Sequence, residues 1–233
     1  GVESRFEGEL KSRTKPLALS IDMRMQHALC NELSSAKDEF EALGAAGLVL
    51  DARTGEVAAM CSLPDFNPHT PMATKGTSRF NKVALGVYEL GSAFKIFTTA
   101  MALDAGVASL EDRYDATKPL KVSRFTIRDY HAKRRWLSVS EIFIYSSNIG
   151  SARLALEVGG AAQKVFLGDI GLLAPSEIEL PEVGAPIVPK IWRRVNTMTI
   201  GFGHGIAVSP LQMAAGVAAM VNGGVYRQPT LIK

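Results

Sequence analysis

The sequence predicts an α/β fold, helix-rich and carrying one antiparallel β-hairpin. Three observations lead there. The chain has 233 residues, 47% hydrophobic and 21% charged, which suits one large domain or two small ones with a sizeable core. Apolar residues recur at helical spacing in several stretches. Two short apolar runs, 46–50 and 56–61, flank the turn-forming hexapeptide DARTGE.

Residues 17–21 (LALSI) read as a short strand. Asp22 then caps a helix reaching about Leu43, because an aspartate oxygen can satisfy the unpaired N–H groups of a first turn. Met25, Leu29, Leu33 and Phe40 fall near one face of it. In the hairpin, Gly55 supplies the positive φ of the turn, and Pro64 ends the second strand because it has no N–H to donate. Residues 65–81 are rich in turn formers and read as a surface loop. A strongly apolar helix runs from Ser92 to about Asp104 and stops before Gly106. Residues 109–135 are mixed and polar, consistent with loops and short strands. Ser138 with Glu141 three residues on forms a capping box, opening a helix that runs near or into YSSNIG. Another helix, 147–158, stops at Gly159-Gly160. Residues 174–190 hold four prolines and read as an extended connector. Ser209-Pro210 has the N-cap and first-turn arrangement of a last helix, closed by Asn222-Gly223-Gly224.

Composition removes several function classes. A net charge of +3 is too weak and dispersed for nucleic-acid binding, and Lys133-Arg134-Arg135 reads as a solvated turn. Cys30 falls in a helical pattern and Cys61 in a strand pattern, with no metal-ligand spacing around either. They read as two small buried side chains, and a disulfide between them is left open. No metal or cofactor is expected. No segment approaches the roughly 18 apolar residues of a membrane span. Residues 1–15 are polar, and the chain opens without an initiator methionine in what reads as mid-domain sequence.

Three serines have a lysine three residues on: Ser12, Ser34 and Ser92. Ser12 lies in the polar start, and Ser34 with Lys37, Asp38 and Glu39 reads as a wet helix face. Only Ser92 opens an apolar helix, so only Lys95 is carried into a low-dielectric setting. Serine is a poor nucleophile until something takes its proton. Desolvation disfavours the ammonium form of lysine, and a neutral Lys95 within reach of Ser92 is a general base. The competing reading makes Ser92 an N-cap and lets Lys95 reach out to water. Ser146-Ser147-Asn148 is the one Ser-x-Asn of the chain, a motif that accompanies Ser-x-x-Lys in serine acyl-transfer enzymes. Asn148 can donate and accept at once, which suits an amide substrate, and Ser146 can relay a proton from Lys95. Against that, serine and asparagine are ordinary helix-start residues. His204, between glycines in GFGHG, reads as a loop histidine with no carboxylate partner legible in the sequence.

Taken in order along nearly the whole chain, these segments resemble the transpeptidase domain of class B penicillin-binding proteins, nearest the division-specific group. The resemblance lies in LALSIDMRMQ, GLVLDARTGEVAAMCSLPDFNP, RFNKVALGVYELGSAFKIFT, IRDYHAKRRWLSVSEIFIYSSNIG and GFGHGIAVSPLQMAAGVAAMVNGGVY. It implies a penicillin-binding-protein and serine β-lactamase-like fold: a helix-rich lobe plus a central antiparallel sheet. It also implies Ser92 as the acylated nucleophile, Lys95 as its base, and Ser146 and Asn148 as the second-motif pair. Leu90 stands where the family commonly has proline, and Ala93 where it has threonine. The third motif, Lys-Thr/Ser-Gly on a strand, is absent, so the sheet is expected to be cut short before that strand. On this reading residues 1–16 end a preceding non-catalytic region and 17–233 form a partial transpeptidase domain. The hairpin is then left with a free edge and an uncovered apolar face, and activity is impaired.

The expected activity is a peptidoglycan D,D-transpeptidase that cross-links stem peptides through a serine acyl-enzyme and is a target of β-lactams. Septal cell-wall synthesis is the expected setting, at the periplasmic face of the inner membrane, with a membrane anchor upstream and membrane proteins of a division complex as partners. The alternatives are a D,D-carboxypeptidase or β-lactamase on the same scaffold, and a non-catalytic division-complex module on a decayed fold.

Overall fold

The computed structural model describes every residue except Arg13, 71–77 and 123–124. Part of the expected 65–81 loop, and two residues of the 109–135 stretch, therefore lie outside the described residues. In chain order the elements are α1 (Val2–Ser12), α2 (Met23–Glu39), β1 (Ala45–Leu50), β2 (Val57–Leu63), a 3₁₀ turn (Gly91–Phe94), α3 (Lys95–Asp104), β3 (Arg113–Asp115), β4 (Leu120–Val122), β5 (Phe125–Ile127), β6 (Trp136–Ser138), α4 (Val139–Ile144), α5 (Asn148–Val158), α6 (Gly160–Asp169), α7 (Arg194–Ile200) and α8 (Pro210–Val221). They fall into two compact units. Unit 1 comprises Gly1–Tyr88, Ile170–Pro186 and Val208–Lys233; unit 2 comprises Glu89–Asp169 and Ile187–Ala207.

Unit 1 is built on the predicted hairpin. β1 and β2 pair antiparallel from Ala45↔Leu63 to Leu50↔Val57, with a bulge at Val49/Leu50. Gly55 has φ +82, as the turn requires. Asp22 caps α2, its carboxylate accepting from the N–H groups of Arg24 and Met25. Alternation along β1 sends its residues to two faces. On one, Gly47 lets the strand approach α2 so closely that an added Cβ would sit 3.1 Å from both Leu29 and Leu33. On the other, Ala46, Leu48 and Leu50 join a core of Val57, Val83, Ala84, Ile178, Leu231 and Leu211 of α8. Both faces are covered, which corrects the expectation of a bare apolar face. Met25 and Phe40 are exposed, so the predicted apolar stripe of α2 narrows to its middle. LALSI contributes a single bridge, Leu19↔Ile232, rather than a strand. The polar start forms α1, whose Val2 packs against the same core. Cys30 and Cys61 are joined in a disulfide that ties α2 to β2, so they are not independent buried thiols.

Unit 2 is mostly helical. α3 packs on α5, which packs on α6 and α7. Its core gathers Ala102, Tyr114, Leu137, Val139, Ile142, Ile149, Leu154 and Met198. Short ribbons, β3–β6 and β4–β5, edge it. The Ser138–Glu141 capping box that opens α4 is present as predicted, and Lys133-Arg134-Arg135 is exposed. α6 and α7 are helices the sequence reading omitted. Among the described residues, no helix is long and apolar enough to cross a membrane.

Candidate active site

The candidate residues all lie in unit 2. Gly91, at φ +54, starts a 3₁₀ turn in which Ser92 is exposed and takes no capping role; the α-helix proper begins only at Lys95. The reading of Ser92 as an N-cap is therefore wrong. The turn aims the serine outward and drops the lysine into the interior, where Lys95 is 2% exposed and its chain neighbour Phe94 and nearby Phe97 are also buried. Lys95 does not reach water either.

The second motif arrives from α4 and α5. α4 ends at Ile144, and Ser146 reverses the chain with φ +53, a conformation that a serine adopts at some cost. That backbone turns both its carbonyl and its hydroxyl to the lysine. Lys95 Nζ lies 3.0 Å from Ser92 Oγ, 2.8 Å from Ser146 Oγ and 2.6 Å from the Ser146 carbonyl oxygen. Ser147 does the helix-start work anticipated for the motif: its Oγ accepts from Gly150 N–H at 2.9 Å and caps α5. Asn148 donates through Nδ2 to the Arg128 carbonyl at 2.9 Å, which leaves its Oδ1 for another partner. Only Gly fits at position 150, because a Cβ there would collide with Ile142 of α4.

Asp129 was missed in the sequence, and it organises this turn. Its carboxylate accepts from Ser147 Oγ and from Ile149 N–H, both at 2.9 Å. It also acts on Lys95. Burial pushes the Lys95 pKa down to about 8, and the negative charge of Asp129 works against that fall. No local spacing marks Asp129, since its partners lie 18 and 20 residues away.

The lone-pair count shows what this arrangement can do. Protonated, Lys95 donates to all three oxygens. Neutral, it has two N–H groups and one lone pair. The Ser146 carbonyl can only accept, so it always takes an N–H, and Ser146 Oγ can take the other. The lone pair is then left for Ser92, whose hydroxyl becomes the donor. Loss of one proton thus sets the amine to receive the Ser92 proton without moving a heavy atom.

Ser92 and Asn148 open into a cavity of about 880 Å³, lined also by Phe125, Arg128, Thr199 and His204. The far wall is the GFGHG loop, held to α3 by Thr98 Oγ1 donating to the Gly201 carbonyl at 2.8 Å. Gly203 (φ +78) runs against the 3₁₀ turn that carries Ser92, where any Cβ would collide with the Gly91 carbonyl oxygen. His204 has a carboxylate partner after all. Its Nδ1 lies 2.8 Å from Glu89 Oε2. The pairing was illegible because 115 residues separate the two.

Residues 45–233 match the family described as Penicillin binding protein transpeptidase domain. The chain is 42% identical over 218 residues to the Probable peptidoglycan D,D-transpeptidase FtsI of Caulobacter vibrioides, covering 94% of this chain and 37% of that protein. It is 31% identical over 219 residues to the Peptidoglycan D,D-transpeptidase FtsI of Escherichia coli K12, covering 93% and 37%. The chain thus spans little more than a third of the length of these curated relatives. Among solved structures, the apo TP domain of Burkholderia pseudomallei penicillin-binding protein 3 superposes with a TM-score of 0.82 at 28% identity, over 92% of this chain and 61% of that one. A peptidoglycan glycosyltransferase from Burkholderia ambifaria superposes with a TM-score of 0.83 at 28% identity, over 93% and 65%. With a shared fold and a family match over most of its length, the chain belongs to the penicillin-binding protein transpeptidase domain family.

Proposed function

We propose that this chain carries the acyl-transfer site of a peptidoglycan D,D-transpeptidase. The observation that supports it most is the Lys95 amine, 2% exposed and hydrogen-bonded to the hydroxyls of both Ser92 and Ser146. Ser92 attacks the D-Ala-D-Ala amide of a stem peptide while its proton passes to Lys95. Ser146 hands that proton to the leaving D-alanine nitrogen, and Asn148 Oδ1 accepts from a substrate N–H. The resulting ester is then taken by an amine of a second stem peptide. A β-lactam presents a strained amide to the same serine.

The setting is septal cell-wall synthesis at the periplasmic face of the inner membrane, among membrane proteins of a division complex and with an anchor upstream of residue 1. The Cys30–Cys61 disulfide fits an oxidising compartment, and the bacterial periplasm is one. Residues 17–233 are assigned to the transpeptidase domain and 1–16 to the region before it.

Intact-mass analysis after penicillin treatment of the full-length protein tests the chemistry. One adduct is expected on the wild type and none on Ser92→Ala. Lys95→Ala should slow labelling by about 10²–10⁴-fold, the usual share of a general base. An adduct that persists in Ser92→Ala overturns the assignment.

A further inference from the structure

Glu89 and His204 form a carboxylate–imidazole pair in the wall of the cavity that holds Ser92. Glu89 Oε2 faces His204 Nδ1 at 2.8 Å, and Oε1 accepts from Gly205 N–H at 2.9 Å. A carboxylate can only accept, so the ring proton that faces it sits on Nδ1. In the neutral ring, Nε2 is then left with its lone pair, and the pair has the form of a base with its orienting acid. The loop has little freedom to carry His204 elsewhere. Glu89 pins Gly205, Gly203 lies against Gly91, and Thr98 holds Gly201.

The proposed reaction needs such a base. An alkylamine acceptor arrives at neutral pH as its ammonium ion, since such groups titrate near ~10. Two protons must leave its nitrogen before it becomes a secondary amide. The Lys95–Ser146 relay has use for only one of them, which must reach Ser92 Oγ as the ester C–O bond breaks. The other needs a separate acceptor in the cavity.

We infer that His204, oriented by Glu89, takes that first proton and so selects an amine as the nucleophile of the second half-reaction. The inference rests on the acyl-transfer reading of Ser92. His204 Nε2 accepts a proton from the incoming ammonium, and the freed lone pair forms the C–N bond at the ester carbonyl. The second proton leaves nitrogen for the Lys95–Ser146 relay as the bond to Ser92 Oγ breaks, and the relay reprotonates Ser92. The imidazolium returns its proton to solvent, which its 67% exposed side chain reaches.

The test separates the two half-reactions in the full-length protein. An acyl-D-alanyl thioester serves as donor and D-alanine as amine, with acyl-enzyme formation and amide formation followed independently. His204→Ala should form acyl-enzyme within about threefold of the wild-type rate and pass it to the amine about 10²-fold more slowly. Added imidazole should restore much of that loss, which no merely structural role predicts. Glu89→Gln keeps an acceptor for Gly205 N–H but loses the charge, and should slow amide formation about 10-fold. Transfer at the wild-type rate in His204→Ala, or a loss that imidazole does not relieve, overturns the inference. If the wild type itself forms no acyl-enzyme, it is the reading of Ser92 that fails.

Discussion

An amine that is 2% exposed must shed its proton or be given acceptors, and Lys95 is balanced between the two. Burial holds its pKa near 8, against an ordinary value of 10.5, and Asp129 opposes the fall. The sign of the linkage follows directly. Between pH 8 and 10.5 the unfolded chain keeps this proton and the folded one has lost it, so stability rises with pH across that window. Below pH 8 both states are charged and the burial penalty is fully present; above 10.5 it has gone. The span is worth about 3 kcal/mol. We therefore expect the stability difference between wild type and Lys95→Met, measured by urea unfolding, to move in favour of wild type from pH 8 to 10.5. A flat difference would show that Lys95 is not desolvated. The same balance governs chemistry. Acylation of Ser92 should rise through an inflection near pH 8. Asp129→Asn keeps an acceptor for Ile149 N–H while removing the charge, and should move that inflection to lower pH.

At the scale of elements, the turn between α4 and α5 decides whether these side chains meet. Ser146 must adopt a positive φ, Ser147 must cap α5, and Gly150 must let Ile142 lie against the helix. Gly150→Ala inserts a methyl group where Ile142 already sits, an overpacking that costs about 1–3 kcal/mol. The α4–α5 crossing has to open to relieve it, carrying Ser146 away from Lys95. Penicillin labelling should therefore fall by far more than the stability loss explains in the fraction still folded; unchanged labelling would mean that the crossing does not set the site. Elements with explicit chemistry at their ends were legible: the Asp22 and Ser209 caps, the Ser138–Glu141 box and the Gly55 turn. Those without it were not. α6 begins on Gly160, which reads as a stop. α7 is seven residues with Val195, Thr197, Thr199 and Ile200, side chains that favour strands. α1 has only the narrow stripe Val2, Phe6 and Leu10 in an otherwise polar stretch, with a Glu7–Lys11 pair one turn apart on its wet side. Within the site, Ser92 and Lys95 were legible because one helical turn joins them. Ser146 and Asn148 required the motif, and Asp129 and Glu89 required the fold.

For the molecule as a whole, the proposed acyl-transfer site and the disulfide fall in different units. Ser92, Lys95, Ser146, Asn148 and the Glu89–His204 pair all belong to unit 2, and the Cys30–Cys61 disulfide belongs to unit 1. The disulfide closes a loop with a sequence separation of 31 residues. Constraining an unfolded chain over such a loop stabilises the fold by roughly 3–4 kcal/mol. Its loss removes no hydrogen bond or charge from the site. α2 keeps its other ties to the hairpin, the Leu29 and Leu33 contacts at Gly47 and the Gln26 side chain that bonds both the N–H and the carbonyl of Met60 at 2.8 Å. Reduction, or the double change Cys30→Ala with Cys61→Ala, should therefore lower the urea midpoint markedly. In the folded protein the penicillin acylation rate should stay within about twofold of wild type. The two measurements discriminate because they respond to different units. A midpoint that does not move would mean that the unfolded chain gains nothing from the cross-link. An acylation rate that falls with the midpoint, well below the unfolding transition, would mean that the geometry around Lys95 depends on how the hairpin is held, and that the site is not self-contained in unit 2.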